Sequence, residues 1–369
     1  MALNFEINVS KNPRSEAERN EILKDPAFGQ VFTDHMVRIN WSEDKGWHDA
    51  QVMPFGPIEM SPASSVLHYG QAIFEGLKAY RRPDGSIATF RPERNAQRMQ
   101  NSARRLNMPE LPEEDFLKAI QVLVETDKEW VPEAGGEAAL YLRPVMFATE
   151  ATLGVHASKT YSFYVIASPS GAYFEGGVKP VSVWISQDYV RAAPGGTGDA
   201  KFAGNYAASL LAQTQAAEKG CDQVVWLDAI ERKYIEEMGG MNLMFVYGSE
   251  ADGNVKVVTP ALSGSLLPGV TRDSLLQVAK DLGYDTDEVH LSVDQWREDV
   301  ASGAMTEVLA CGTAAVLTPV GRVLSNDGEF TVNNNEAGDV TMKLRETLTG
   351  IQHGDKEDTH GWIYTLVEA

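Results

Sequence analysis

The sequence predicts an α/β (α+β) chain of two domains, and three observations carry that reading. At 369 residues it is longer than one hydrophobic core commonly organises. Around residues 171–179, from Ser168 to Pro180, the sequence turns to Ser, Gly and Pro. Beyond them, short valine-rich runs alternate with stretches at helical spacing, the pattern of mixed α/β architecture. The predicted division is residues 1–173 for an N-terminal domain, 174–184 for a linker and 185–369 for a C-terminal domain.

Residues 1–30 are polar and read as an arm. Phe32 to Trp41 alternates as a strand does. Val66 to Gly76 reads as a short helix closed by Gly76. Leu77 to Arg81 and Ile87 to Phe90 form a hairpin about Pro83-Asp-Gly85. Pro92 opens a helix whose inward stripe is Ala96, Met99, Ala103 and Leu106. Arg98 borders that stripe and is placed to point inward at an anion. A second amphipathic helix covers Glu113 to Trp130. Ala138 to Thr149 and Thr160 to Ala167 are strands too apolar to be exposed. Arg143 lies inside the first of them, and a charge there requires an anionic partner, structural or substrate.

Val181 to Ser186 is the next strand. A loop rich in glycine, Arg191 to Ala200, then leads to Lys201 and a helix from Ala203 to Lys219 that Gly220 ends. Asp222 to Asp228 is a strand, and Tyr234 to Asn242 leads into another that ends at Tyr247. Gly269 precedes a helix with Leu275, Val278 and Leu282 inward, and that helix start is a candidate anion site. Met305 to Ala310 is a strand ending in the small-residue turn Cys311-Gly-Thr-Ala314. Residues 352–361 read as a polar tail.

The formal net charge is −20 and the pI about 4.8. Such a surface repels nucleic acid and anionic membranes, so neither is an expected partner. Cys221 and Cys311 lie in apolar runs without ligand spacing, and the seven histidines are scattered, so no metal is expected. No run is long and apolar enough to span a bilayer, and no leader pattern opens the chain. A cytoplasmic protein is expected. Several motif templates fail. Lys201 is flanked by Ala200 and Phe202 rather than by the glycine and hydroxyl of a P-loop. No G-x-G-x-x-G, H-E-x-x-H or G-x-S-x-G occurs. Glu236 and Glu237 are neighbours on a strand, so they face opposite ways, which argues against a two-carboxylate glycosidase.

What remains is one lysine expected to be buried, two glycine-rich anion turns, a carboxylate in an apolar run and inward arginines. A desolvated lysine is an amine nucleophile able to form a Schiff base. A pyridoxal phosphate enzyme needs this set of groups. Gly196-Thr-Gly-Asp-Ala-Lys-Phe-Ala-Gly-Asn-Tyr206 closely resembles the cofactor-lysine segment of branched-chain aminotransferases of pyridoxal-phosphate fold type IV. Phe32-Thr-Asp-His-Met36, Leu67-His-Tyr69, Phe74-Glu-Gly76, Tyr141-Leu-Arg-Pro144, Glu237-Met-Gly-Gly-Met-Asn242, Leu267-Pro-Gly-Val270 and Cys311-Gly-Thr-Ala314 resemble that family's motifs in order.

The resemblance implies a smaller α/β N-terminal domain and a larger pseudo-barrel C-terminal domain. It implies pyridoxal 5'-phosphate as cofactor, and a homodimer. It further implies that Lys201 carries the cofactor and moves the substrate's α-proton. Glu237 would pair with the pyridine nitrogen and Tyr206 with the ring hydroxyl. Arg98, Val270, Thr271 and Thr313 would hold the phosphate, with Leu267 on the ring. Phe28, Tyr69, Phe74, Tyr141, Val155 and Tyr173 would line an apolar side-chain pocket, and Arg143 would admit a distal carboxylate there. Gly312 and Ala314 would meet the α-carboxylate. The implied activity is transamination of L-leucine, L-isoleucine and L-valine with 2-oxoglutarate. A D-amino acid aminotransferase or an aminodeoxychorismate lyase of the same fold is the alternative. Two departures stand out. Ala315 and Thr318 occupy the places of a C-x-x-C found in mammalian members, and Gly240 replaces a threonine.

Overall fold

The computed structural model describes residues 3–171 and 178–369. In chain order the elements are β1 (Glu6–Ile7), α1 (Glu16–Lys24), β2 (His35–Ser42), β3 (Gly46–Pro54), α2 (Ser65–Tyr69), β4 (Ala72–Phe74), β5 (Leu77–Arg81), β6 (Ile87–Phe90), α3 (Pro92–Arg105), α4 (Glu113–Thr126), β7 (Ala139–Ala148), β8 (Thr160–Ser170) and β9 (Val181–Ile185). They continue with α5 (Ala203–Ala207), α6 (Leu210–Glu218), β10 (Gln223–Leu227), β11 (Ile235–Met238), β12 (Met241–Tyr247), β13 (Lys256–Pro260), α7 (Val270–Asp281), β14 (Asp285–Val289), α8 (Val293–Ser302), β15 (Met305–Gly312), β16 (Val316–Ser325), β17 (Gly328–Thr331), α9 (Asp339–His353) and β18 (Ile363–Val367).

Two compact units result. The first holds Met1–Tyr173, Ala200–Gly204 and Gly350–Ala369, and the second holds Phe174–Asp199 and Asn205–Thr349. A single cut near residue 173 is therefore too simple. Five residues around Lys201 and the last twenty cluster with the first unit. The predicted linker also ends inside a strand, because β9 begins at Val181.

In the first unit the sheet runs β1-β3-β2-β8-β7-β5-β6-β18, with β4 also on β7. The longest pairing joins β7 to β8, antiparallel from Ala139↔Ser170 to Ala148↔Tyr161. Helices α3 and α4 cover the sheet with the stripe read from the sequence: Ala96, Met99 and Ala103, then Phe116, Ile120 and Leu123, packed with Val37, Ile39, Phe163 and Val165. In the second unit, strands β11-β10-β9-β16-β15-β12 run in order, and β11 also pairs with β12. That extra pairing closes a six-stranded barrel. The two-residue link Gly239-Gly240 makes it possible, since Gly239 takes φ 56°, which L side chains rarely adopt. Among the described residues, no helix is long and apolar enough to cross a membrane.

Four local expectations change. The supposed arm contains α1, opened by a capping box between Ser15 and Glu18. The helix expected over Val66 to Gly76 stops at Gly70, whose φ is 69°, and the chain continues as strand β4. The helix after Lys201 breaks into α5 and α6, because the Ser209 hydroxyl donates to the Tyr206 carbonyl at 2.7 Å and competes with the helical ladder. The polar tail is followed by β18, which pairs antiparallel with β6.

Candidate active site

Lys201 is held by its backbone. Its N–H donates to Ser102 Oγ at 2.8 Å, and its carbonyl accepts from the Phe74 N–H at 3.1 Å. An isolated bridge joins Ile73 to the next residue, Phe202. Lys201 is half-buried rather than buried. Its Nζ stands 5.0 Å from the Phe74 ring centroid, where the negative ring face offsets part of the lost hydration.

On α3, Asn95, Arg98 and Ser102 follow the i, i+3, i+7 spacing of one helix face. Arg98 is buried, and its Nε and Nη2 each reach a Glu75 oxygen at 2.8 Å. Glu75 is 0% exposed and also accepts from Asn95 Nδ2 at 2.8 Å and from the Gly76 N–H at 3.3 Å. Burial pushes the Glu75 pKa up. The Arg98 charge and hydrogen bonds, with Lys201 and Asn95 behind them, carry it below the usual value. The sequence assigns Arg98 an anion, and in the structure its carboxylate partner is Glu75.

Arg143 rises from β7 between aromatic rings. Its Cζ is 4.8 Å from the Phe74 centroid and 5.3 Å from that of Tyr141. Its Nη2 donates to Tyr141 Oη at 3.1 Å, and its Nε is buried without a hydrogen-bond partner. Among the described residues no carboxylate pairs with it. Tyr141 lies so close to Gly76 that a Cβ there would stand 2.0 Å from its hydroxyl. Phe28 meets Tyr141 edge-on at 4.9 Å. Tyr69 and Val155 are not in this group. The Tyr69 hydroxyl donates to the Leu153 carbonyl, and Val155 is 83% exposed. Tyr173 lies outside the described residues.

The second unit has its own cluster. Glu237, buried on β11, faces Arg191 Nε at 3.1 Å and accepts from the Leu267 N–H. Arg191 Nη1 donates to the Ser265 carbonyl at 2.9 Å and the Gly198 carbonyl at 3.2 Å. A side chain at 198 would strike that Ser265 oxygen at 2.2 Å, so glycine is required there. Leu267 is buried, and its carbonyl accepts from Asn242 Nδ2 at 3.1 Å. The Tyr206 ring passes 3.3 Å from where a Cβ at Gly240 would stand, so a threonine there would crowd it. Glu236 turns away from this cluster and accepts from Ser265 Oγ, as strand alternation requires.

Val270 and Thr271 open α7 after Gly269, and no side chain caps that start. Its first N–H groups have no intrahelical acceptor, and the helix dipole adds positive potential. Gly312, Thr313 and Ala314 are half-buried where β15 turns into β16, with Met241 Cγ 3.1 Å from a Cβ built at Gly312. Among the described residues no cluster of His, Cys, Asp or Glu is fit to hold a metal.

Sequence reasoning left Glu75, Asn95, Ser102, Arg191 and Ser265 without roles. A signal existed for two groups of these. Glu75 interrupts the apolar run from Ala72 to Gly76, and Asn95, Arg98 and Ser102 form a polar stripe at helical spacing.

The amino-transferase class IV family matches residues 72–323. The chain is 61% identical over 364 residues to a branched-chain-amino-acid aminotransferase of Mycolicibacterium smegmatis, covering 99% of this chain and 98% of that protein. The crystal structure of an Escherichia coli branched-chain amino acid aminotransferase aligns at a TM-score of 0.72 and 28% identity, over 89% of this chain and 99% of that one. A T.th. branched-chain amino acid aminotransferase with pyridoxamine 5'-phosphate aligns at 0.71 and 30%, over 89% and 98%. With the barrel and these side-chain clusters, the matches lead to one assignment: the chain belongs to the class IV aminotransferases and, within them, to the branched-chain-amino-acid aminotransferase family.

Proposed function

We propose that this enzyme reversibly transaminates L-leucine, L-isoleucine and L-valine with 2-oxoglutarate, using pyridoxal 5'-phosphate. The observation that carries the substrate pair is Arg143. It stands among the rings of Phe74 and Tyr141 with a buried, unpartnered Nε. Aromatic walls suit an aliphatic side chain, and one arginine suits the distal carboxylate of the acidic partner. A wall of this kind separates aliphatic side chains by only ~1–3 kcal/mol per methylene, so all three amino acids are accepted.

The donor set fits the cofactor. The uncapped first turn of α7 would offer N–H groups at Val270 and Thr271 to a phosphate, and the family resemblance adds the Thr313 hydroxyl and Arg98 as anion ligands. Glu75 fixes the plane of the Arg98 guanidinium. Glu237, oriented by Arg191 and the Leu267 N–H, would pair with the pyridine nitrogen, Tyr206 would hold the ring hydroxyl and Leu267 would pack on the ring. When bound, the cofactor acts as an electron sink that makes the substrate α-proton removable. Lys201 would carry the cofactor and move that proton as a general base. Gly312 and Ala314 hold the α-carboxylate through backbone groups. Phe28, Phe74 and Tyr141 line the side-chain pocket, and Tyr69 and Val155, exposed on their own subunit, would reach a pocket only across the dimer.

The working form is a cytoplasmic homodimer. Exposed Leu67, Tyr69, Leu153 and Val155 support this, because a second subunit would cover them. The test is an assay of purified enzyme with each L-amino acid and 2-oxoglutarate, following glutamate. Glutamate formation from all three is expected. Turnover of D-alanine alone would overturn the assignment.

A further inference from the structure

Glu236 has no part in the reaction described above, yet it is only 6% exposed. It lines a cavity of about 440 Å3 on the side of β11 away from Glu237, together with Asp228, Ile230, Tyr234, Leu266 and His290. A buried carboxylate normally has its oxygens satisfied. Glu236 Oε1 accepts from Ser265 Oγ, with Ser263 Oγ at 3.5 Å. Among the described residues, Oε2 has no hydrogen-bond partner and no cation forms an ion pair with Glu236. Two other carboxylates line the wall, the exposed Glu231 and Asp228, and Asp228 is already used. Asp228 accepts four backbone N–H groups, from Ile230, Glu231, Lys233 and Tyr234, and so shapes the turn that forms the cavity rim. Ile230, 77% exposed, marks the rim's outer edge. The remaining walls are largely apolar, from Ile235, Leu266, Pro260 and Val289.

We propose that this cavity is a second small-molecule site, which binds an aliphatic ammonium with its N–H on Glu236 Oε2 and its hydrocarbon body on the apolar walls. A cation is favoured over a neutral donor for two reasons. Burial, the largest cause, and nearby Asp228 disfavour charge on Glu236; the Ser265 and Ser263 hydroxyls and the Arg191 charge offset part of this, and a bound cation supplies the rest. The negative formal charge of the whole chain, −20, concentrates cations at its surface. The site also touches the cofactor machinery. Ser265 bonds Glu236 through its hydroxyl and Arg191 through its carbonyl, and two residues on, the Leu267 N–H reaches Glu237. An occupant of the cavity therefore acts on the loop that orients Glu237.

The probe is N,N-dimethylisopentylamine, a tertiary amine that cannot condense with a carbonyl group. Calorimetric titration of the holoenzyme at about pH 8, above the ordinary carboxylate range, should show saturable binding of one amine per chain. Isopentyl alcohol should bind at least tenfold more weakly. Glu236→Gln should weaken the amine at least tenfold. Ile230→Arg, at an exposed rim position, should do the same by placing its own cation in the mouth, and it serves if the buried variant does not fold. Absence of saturable binding overturns the proposal. So does undiminished binding in either variant. The readout is binding rather than turnover, so the result is separate from the substrate assignment.

Discussion

Among the described residues stand two buried glutamate–arginine pairs, Glu75–Arg98 and Glu237–Arg191, and they are built for different ends. Glu75 receives a two-pronged grip from Arg98, plus Asn95 and the Gly76 amide. Most of that grip comes from one face of α3. Glu237 faces Nε of Arg191, whose other nitrogens go to the carbonyls of Gly198 and Ser265. It also accepts from the backbone N–H of Leu267. The first pair locks a helix to a strand. The second fastens two loops to a carboxylate. The same residue types thus serve rigidity in one place and orientation of a reactive group in the other. Removing the first should cost mainly stability, and removing the second mainly rate.

Four substitutions probe that contrast, taken from the largest expected effect down. Lys201→Ala sets the scale, with turnover falling by about 10⁴-fold or more in a coupled assay and unfolding little changed. Glu75→Gln should lower stability by about 3–5 kcal/mol, since it breaks a buried ion pair by removing the carboxylate charge that Arg98 grips with two nitrogens. Its pH signature follows from the depressed pKa of Glu75. The stabilisation is fully present above the ordinary carboxylate range and is lost as pH falls through the lower folded-state value. The variant should lose that acid limb in thermal melts taken across pH. Equal melts for variant and native protein would break the contrast. Glu237→Gln should slow turnover on the order of 100-fold, within the range of one lost electrostatic contact in the transition state. It should also cost less stability than Glu75→Gln, and a larger loss would erase the distinction. Arg143→Met extends the series to an arginine with no carboxylate of its own. It should raise KM for 2-oxoglutarate ~10–100-fold, as expected for a charged hydrogen bond of about 1.5–3 kcal/mol. KM for aliphatic 2-oxo acids should hardly change.

Much of this was legible from residue order. The inward stripes of α3 and α4, the hairpin of β5 and β6, and the helix at Val270 follow from periodicity and turn chemistry. The opposite facing of Glu236 and Glu237 follows from strand alternation. What escaped depended on contacts distant in sequence. Glu75 and Arg98 are 23 residues apart, and nothing local pairs them. Ser209 reads as a tolerable helix residue until its hydroxyl takes the Tyr206 carbonyl. The exposure of Tyr69 and Val155 could not be read from composition, because apolar residues ordinarily go inward. The Ser15–Glu18 capping box was plain in the sequence and shows that a polar segment need not be an arm.

The backbone clasp on Lys201 has a practical consequence. Ser102 and Phe74 hold the peptide groups of residue 201, whichever side chain it carries. An alanine there should leave the loop in register and the aromatic wall intact. The disabled enzyme would then be a faithful decoy, able to capture amino and oxo acids without converting them and to report their intrinsic affinities undistorted by chemistry.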